Sequence, residues 1–565
     1  MEFSFTPNAT DWVRIAPELV VAAAALVVLL ADLVVPARRH AWLAVIGLLG
    51  VIGAGVAVGL LLANGETGEA FFHMVSSDQV ALLADCVILF ACGLALLFSP
   101  DYLARQGVTQ HGEYYALLLL ATAGMMLMAS ATNLMTIFVA LEVFSLALYI
   151  LCAYLAQRFR SQEAGMKYFL LSSFASAFLL YGMALVYGST GQTALAGIRG
   201  FLTTHPFRLT SGFGPMLIAA LALLAVGFCF KVSAIPFQAW TPDVYVGAPT
   251  TVTAFMSVGT KVAAFVAMGR VFLFALPAAR AEWQPILWAV AVLTLIGGNL
   301  LAVTQTDVKR LLAYSSVAHA GYILVGVVVG TALGYAAVLV YLASYAVMNI
   351  GAFGVVLVLE RRDGQGTGLE DYAGLGRRRP ALAAALAVCL FALAGVPPSA
   401  GFIAKWDIFY AAIVGGHTEL AIIGLAASVL GMFYYLRVIW AMYFAESPAA
   451  LAGGVIVAST TRRATGGPAR PAGAPAVAAT SAGGTAASAT AVALAAPASP
   501  AAATGSAAAA AKSPAKSPAV ANVPAPVAWA AGVALAIATI LTIALGIVPG
   551  PLFTFAARAA GTLLR

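Results

Sequence analysis

Glu142, Lys167, Lys231, Lys261 and Lys405 lie within stretches that otherwise read as apolar, membrane-spanning helices. A charged side chain at the centre of such a helix costs roughly 2.5 to 3.5 kcal/mol even on the mildest insertion scale, so it faces a protein interior or a water-filled path. Burial disfavours the charged form of a lysine and a nearby carboxylate favours it. Lysines whose carboxylate partner approaches and retreats therefore take up and release protons in turn. Glu142 acting on Lys167 or Lys231 would make such a relay. Each charge moved works against roughly 2.3 kcal/mol per 100 mV of membrane potential. The chain has no phosphate-binding loop of the Gly-x-x-x-x-Gly-Lys-Ser/Thr kind to supply that energy, so it must come from elsewhere.

These residues differ in how firmly the sequence places them. Glu142 sits deep in the run Asn133 to Ser145, out of reach of either aqueous end. Lys261 lies mid-span with no carboxylate nearby, cannot easily snorkel, and is expected to face a hydrated interior. Lys167 has Glu163 one helical turn before it, so a simple interfacial ion pair is an alternative. Asp85 is intramembrane by the same count and reads equally as part of a packing hydrogen-bond network. His319, in Tyr314-Ser-Ser-Val-Ala-His319-Ala-Gly-Tyr322, has a ring suited to proton shuttling near neutral pH; a structural histidine is the other reading.

Two of the lysines stand beside interruptions. Phe230-Lys231-Val-Ser-Ala-Ile-Pro236-Phe237 falls in the seventh apolar segment, and Leu393-Ala-Gly395-Val-Pro397-Pro398-Ser-Ala-Gly401-Phe-Ile-Ala-Lys405 in the twelfth. Proline removes a backbone donor and clashes with the preceding turn, so each helix is expected to break inside the membrane. Groups freed by a break need partners, which a polar cavity supplies. Paired broken helices five segments apart are the pattern of an internally duplicated transporter; two ordinary proline kinks are the plainer alternative.

The elements that must position these groups follow from composition. Of 565 residues, 62% are hydrophobic and 9% charged, against about 25% charged in a soluble domain. The fold class is all-α, a polytopic membrane protein with about fourteen helices. The apolar runs span 16–35, 41–63, 79–98, 114–131, 133–155, 164–188, 213–235, 250–275, 284–303, 309–330, 334–359, 380–412, 418–444 and 527–556. The first run is followed by Arg38 and Arg39 in place of a small-residue cleavage site, so it reads as a retained helix. From Ser447 to about Pro526 the chain is built of Ala, Pro, Gly, Ser and Thr, and a disordered cytoplasmic linker is expected there.

The formal charge of +7 is not gathered into a patch for nucleic acid. Arg38, Arg39, Arg158, Arg160, Lys309, Arg310, Arg361, Arg362 and Arg377 to Arg379 fall in loops on one side, the cytoplasmic side by the positive-inside rule, with the amino terminus outside. The opposite loop carries Glu66, Glu69 and Asp78, in agreement; Arg199 and Arg208 are a mild exception. The five cysteines, Cys86, Cys92, Cys152, Cys229 and Cys389, have no Cys-x-x-Cys spacing, and the six histidines no two-ligand helical spacing. No metal site is expected, and any redox centre belongs on other chains.

The stretch Gly227-Phe-Cys-Phe-Lys231-Val-Ser-Ala-Ile-Pro236-Phe-Gln-Ala-Trp240-Thr-Pro-Asp243-Val-Tyr245-Val-Gly247-Ala-Pro249-Thr resembles the signature of the antiporter-like subunits of bacterial respiratory complex I, the NADH-quinone oxidoreductase, and most closely its subunit N branch. Asn133 to Ser145, Gln305 to Tyr322 and Leu393 to Lys405 fit the same pattern. The resemblance implies a proton-translocating subunit of the membrane arm, built from two inverted five-helix repeats. By it, Glu142 and Lys167 form a modulating pair, Lys231 and Lys405 stand on the broken helices, Lys261 is the central connecting lysine, and His319 is a candidate relay. It divides the chain into helices 1 to 3 (1–113), a first repeat (114–275), a second (276–446), the linker (447–526) and a last helix (527–565).

The Pro-Asp-Val-Tyr run, Lys405 where subunit M is expected to have glutamate, and the lack of subunit L's long lateral helix favour the N branch. Gln238 stands where the family usually has histidine, so a relay there must use water or Lys261. The resemblance further implies no cofactor in this chain, with NADH, FMN, iron–sulfur clusters and quinone on partner subunits. Its neighbours would be subunits M and K in a bacterial inner membrane. A cation/proton antiporter or membrane-bound hydrogenase subunit, or a stand-alone solute carrier, are the other readings.

Overall fold

The computed structural model describes residues 7–36, 41–108, 111–205, 212–362, 364–446 and 527–564. The expected linker from Ser447 to Pro526 lies outside the described residues. Helices dominate, apart from a small hairpin in which Glu69–Ala70 and Val75–Ser76 pair antiparallel. Twelve described helices are long and apolar enough to cross a membrane. Of the fourteen expected segments, the first, Ala16–Asp32, has 17 residues, and the twelfth is divided into Pro380–Ala394 and Ala400–Val414, of 15 each.

Both breaks fall where prolines and a lysine coincide. Gly214–Lys231 stops four residues before the expected end, the backbone turns through Ser233 at φ 66°, and Trp240–Gly247 resumes the path. Pro380–Ala394 ends on Gly395 at φ 88°, a left-handed cap that suits a residue with no Cβ. Ser399 then starts Ala400–Val414 by accepting the Phe402 N–H at 3.4 Å. Other boundaries moved too. Gln79–Gln106 runs past Pro100 to Gly107, Phe159–Thr190 is longer at both ends, and the last segment is two helices, Trp529–Ile547 and Gly550–Leu564, parted at Pro549.

Thr250–Ala275, Val308–Val329 and Ala332–Leu359 are buried along nearly their whole length, whereas Ala41–Asn64 and Trp529–Ile547 are mostly unburied. The buried three therefore form the interior, and Lys261 and His319 lie on two of them. A local device recurs at two points. Asn133 caps Leu134–Cys152, and the Leu134 N–H and Thr132 O pair with Thr193 O and the Leu195 N–H, both at 2.9 Å. Asp307 caps Val308–Val329, and the Val308 N–H and Thr306 O pair with Thr367 O and the Leu369 N–H at 2.7 and 2.9 Å. Gly124 faces the Phe144 backbone as closely as Gly298 faces that of Ala318. An odd number of crossings separates the two devices, so they lie on opposite faces, as an inverted repeat requires.

The core is tied together on the face that carries Arg158. Glu360, at the end of Ala332–Leu359, is buried; Arg158 meets its carboxylate at 3.1 Å, Tyr102 donates to it at 3.2 Å, and Thr250 also donates. Arg105 donates to the carbonyls of Leu357 and Glu360 at 3.1 and 3.2 Å. Removing one partner of a buried ion pair leaves the other uncompensated, at a cost of about 3 to 5 kcal/mol. Glu360→Ala is accordingly expected to lower the thermal midpoint and the amount of assembled protein, read by a melting curve in detergent; an unchanged midpoint would remove this tie from the account.

Candidate functional site

Lys231 is the last residue of its helix and is buried. Its Nζ donates to Ser145 Oγ at 2.8 Å and Ser172 Oγ at 2.7 Å, from two neighbouring helices. It also lies over the rings of Phe144 and Tyr168 at 5.4 and 5.7 Å. The break behind it is held by aromatic packing: Trp240 stacks on Tyr168 at 4.8 Å and donates its indole N–H to Phe230 O at 3.1 Å. Ser145 stands one turn beyond Glu142 on the same helix. Glu142 is half-buried, lies within electrostatic reach of Lys231, and has an Oε1 with no hydrogen-bond partner among the described residues.

Lys261 is fully buried and joins the two halves. Its Nζ donates to Val232 O, released by the first break, at 3.1 Å, and to Ser316 O on Val308–Val329 at 2.7 Å. From Ser316 the polar side chains continue along one helix face. Tyr345 donates to Ser316 Oγ at 2.9 Å, and His319, one turn on, meets the Tyr341 hydroxyl at 2.8 Å and that of Tyr435 at 3.2 Å. Tyr322 comes next, and Lys405 Nζ lies 4.9 Å over its ring. Lys405 donates to Leu393 O, Ala394 O and Ser428 Oγ at 3.0, 2.9 and 2.9 Å.

An ammonium has three donors. Lys231 and Lys261 each use two, a pattern that an amine also satisfies, whereas Lys405 uses all three. Both states of Lys231 and Lys261 can therefore keep their hydrogen bonds, and at Lys405 the Ser428 hydroxyl can turn from acceptor to donor when the amine is neutral.

Lys167 stands apart from this string. Its side chain is 41% exposed and meets Glu163 at 2.8 Å and Asp243 at 2.9 Å; Asp243 also faces Arg310 at 3.4 Å. These groups line a cavity of about 360 Å³ with Arg160 and Asp307, on the face that carries Arg158. The interfacial pair with Glu163 is thus present, and no described contact joins Lys167 to Glu142. Sequence reasoning passed over Asp243 as part of a signature, and over Ser145, Ser172, Ser428 and the hydroxyls of Tyr341 and Tyr435. A lone serine or tyrosine in an apolar run carries no visible signal of its long-range partner.

Buried polar atoms normally have hydrogen-bond partners. Beside the string, Tyr322 Oη, Tyr245 Oη and Asn349 Oδ1 have none among the described residues, which fits sites for bridging water. Among the described residues no cluster of metal ligands occurs. A high-resolution map of the assembled protein is expected to place ordered water within hydrogen-bond distance of Tyr322 Oη and Asn349 Oδ1; a dry interior at both would show that the string does not conduct through water.

The family described as NADH:quinone oxidoreductase/Mrp antiporter, TM, matches residues 131–431, the stretch that holds all five charged residues and His319. A NADH-quinone oxidoreductase subunit N from Trichlorobacter lovleyi is 47% identical over 430 residues, covering 76% of this chain and 87% of that protein. The subunit N of Gluconacetobacter diazotrophicus is 41% identical over 441 residues, covering 78% and 91%. A chain of respiratory complex I from Thermus thermophilus with bound aureothin is 30% identical with a TM-score of 0.68, covering 96% of this chain and 99% of that one. A chain of the Mrp complex from Dietzia sp. DQ12-45-1b, 21% identical with a TM-score of 0.73, shares the fold; 98% of this chain and 97% of that one are covered.

Proposed function

The chain belongs to the NADH:quinone oxidoreductase/Mrp antiporter family of multi-pass membrane proteins, and we propose that it acts as the proton-translocating subunit N of a respiratory complex I. The observation that carries this reading is the run of polar side chains from Lys231 through Lys261, Ser316, His319 and Tyr322 to Lys405. In this reading NADH oxidation and quinone reduction take place on partner chains that hold FMN and iron–sulfur clusters. The chain is a translocase subunit with no redox step of its own. Subunits M and K are its neighbours in a bacterial inner membrane, and the amino terminus is periplasmic, which the one-sided arginine loops support. The paired devices at Asn133 and Asp307 support two repeats, 114–275 and 276–446.

The proton path follows from the electrostatics. With Lys167 held by Asp243 and Glu163, the carboxylate of Glu142 is left to act on Lys231 and offsets part of what burial costs its charge. When Lys167 leaves Asp243 and turns to Glu142, that offset weakens and the proton passes to Lys261 by water, since Gln238 cannot carry it. Ser316, His319 and Tyr322 lead on towards Lys405.

Lys231→Ala and Glu142→Ala are each expected to lower NADH-driven proton uptake by vesicles containing the intact complex, with NADH oxidation by an artificial acceptor unchanged because that step occurs on the peripheral subunits. Wild-type uptake in both variants would take these residues out of the path.

A further inference from the structure

A second set of charges is buried away from the lysine string. It comprises Glu18 in the first turn of Ala16–Asp32, Asp78 at the cap of Gln79–Gln106, Asp85 two turns inside that helix, and Arg270 in the π-helical turn that ends the helix of Lys261. Alternating crossings bring these helix ends to one face, opposite that of Arg158. Arg270 is 1% exposed and grips Asp78 through both carboxylate oxygens, at 2.7 and 2.8 Å, while its Nε donates to Ala129 O at 2.8 Å. The cation that reaches Asp85 is thereby already paired.

Glu18 and Asp85 are 7% and 1% exposed and lie within electrostatic reach of each other. Cys86, Ser130 and Tyr335 are the other groups facing this cluster. Glu18 Oε2 and Asp85 Oδ1 are both buried with no hydrogen-bond partner among the described residues. Two buried carboxylates within electrostatic reach of each other resist being ionised together, and groups so coupled bind protons as a unit. One added proton removes a charge and supplies a donor where both carboxyl groups hold an unpartnered oxygen.

We propose that Glu18 and Asp85 form a carboxyl pair that holds a proton near the face opposite Arg158 and exchanges it with water past Asp78. Asp78 keeps 20% of its side chain exposed and lies on the same helical face as Asp85, two turns nearer the end. Uptake forms one O–H bond on a carboxylate oxygen with a proton from hydronium; release returns it to water, and no electron moves. Arg270 lies on the same continuous helical run as Lys261, in the π-helical turn that ends it. The role in turnover rests on the proton-translocating reading above; the holding of a proton does not.

Infrared difference spectra of the purified complex, recorded across a pH step, test the site. A protonated-carboxyl band that shifts in heavy water is expected to be lost in both Asp85→Asn and Glu18→Gln and restored in Asp85→Glu. A band unaltered by both neutral variants overturns the proposal. Proton uptake by vesicles is then compared with Lys231→Ala, with artificial-acceptor NADH oxidation as the measure of assembly. Loss of uptake in Asp85→Asn and recovery in Asp85→Glu support the site's part in turnover. Uptake lost in Lys231→Ala but retained in Asp85→Asn overturns that part and leaves the lysine path standing; uptake retained in both overturns that part and takes Lys231 out of the path as well.

Discussion

An ammonium group in the middle of a bilayer is tolerated only where oxygen atoms replace its water, and the two broken helices supply such atoms. A helix end leaves its last carbonyls without intrahelical partners. Lys405 takes up two of them, Leu393 O and Ala394 O, and Lys261 takes Val232 O just past the first break. The cation at a helix C-terminus also meets the favourable end of the helix dipole. Breaks that would be costly in lipid therefore stabilise the charges that would be costly in an unbroken helix. Each defect makes the other tolerable, which is why the prolines and the lysines occur together.

This arrangement works only if lipid is kept away from it. Thr250–Ala275, Val308–Val329 and Ala332–Leu359 carry it in the buried interior, and the outer helices, with their exposed apolar faces, are left to meet the bilayer. The Glu360 cluster joins the ends of two of those helices, Ala332–Leu359 and Thr250–Ala275, to Arg158 and Tyr102. The charged cavity around Lys167 and Asp243 opens on the same face as that cluster. The interior string ends on a three-donor lysine in the second half, while the charged cavity stands apart from it.

Much of this was legible in the chain because charge inside an apolar run is a local signal. Glu142, Lys231, Lys261 and Lys405 stand out from their neighbours, and Pro236, Pro397 and Pro398 mark both breaks without any knowledge of packing. Lys167 was ambiguous for a physical reason: its partner Glu163 is one turn away in sequence, whereas Asp243 meets it only after the first broken helix folds back. The hydroxyls of Ser145, Ser172 and Ser428 were invisible, since a serine in a membrane helix usually bonds its own backbone. For Asp85 the sequence shows an intramembrane charge and leaves a packing hydrogen-bond network equally open. Its neighbours Glu18 and Arg270 come from distant segments, so only the fold brings the three together. The fold also added a hairpin at Glu69–Ser76 and a division of the last segment at Pro549 that apolar runs alone do not reveal.

The central claim is that protons pass through Lys261, and Lys261→Arg tests it most directly. Arginine keeps the positive charge and can reach oxygen acceptors, yet does not give up its proton in a protein. The account predicts that NADH-driven proton uptake by vesicles containing this variant collapses while the complex remains assembled and oxidises NADH with an artificial acceptor. Uptake at the wild-type level would mean that a fixed charge suffices at this position, and that the lysine string is a structural feature and not the path.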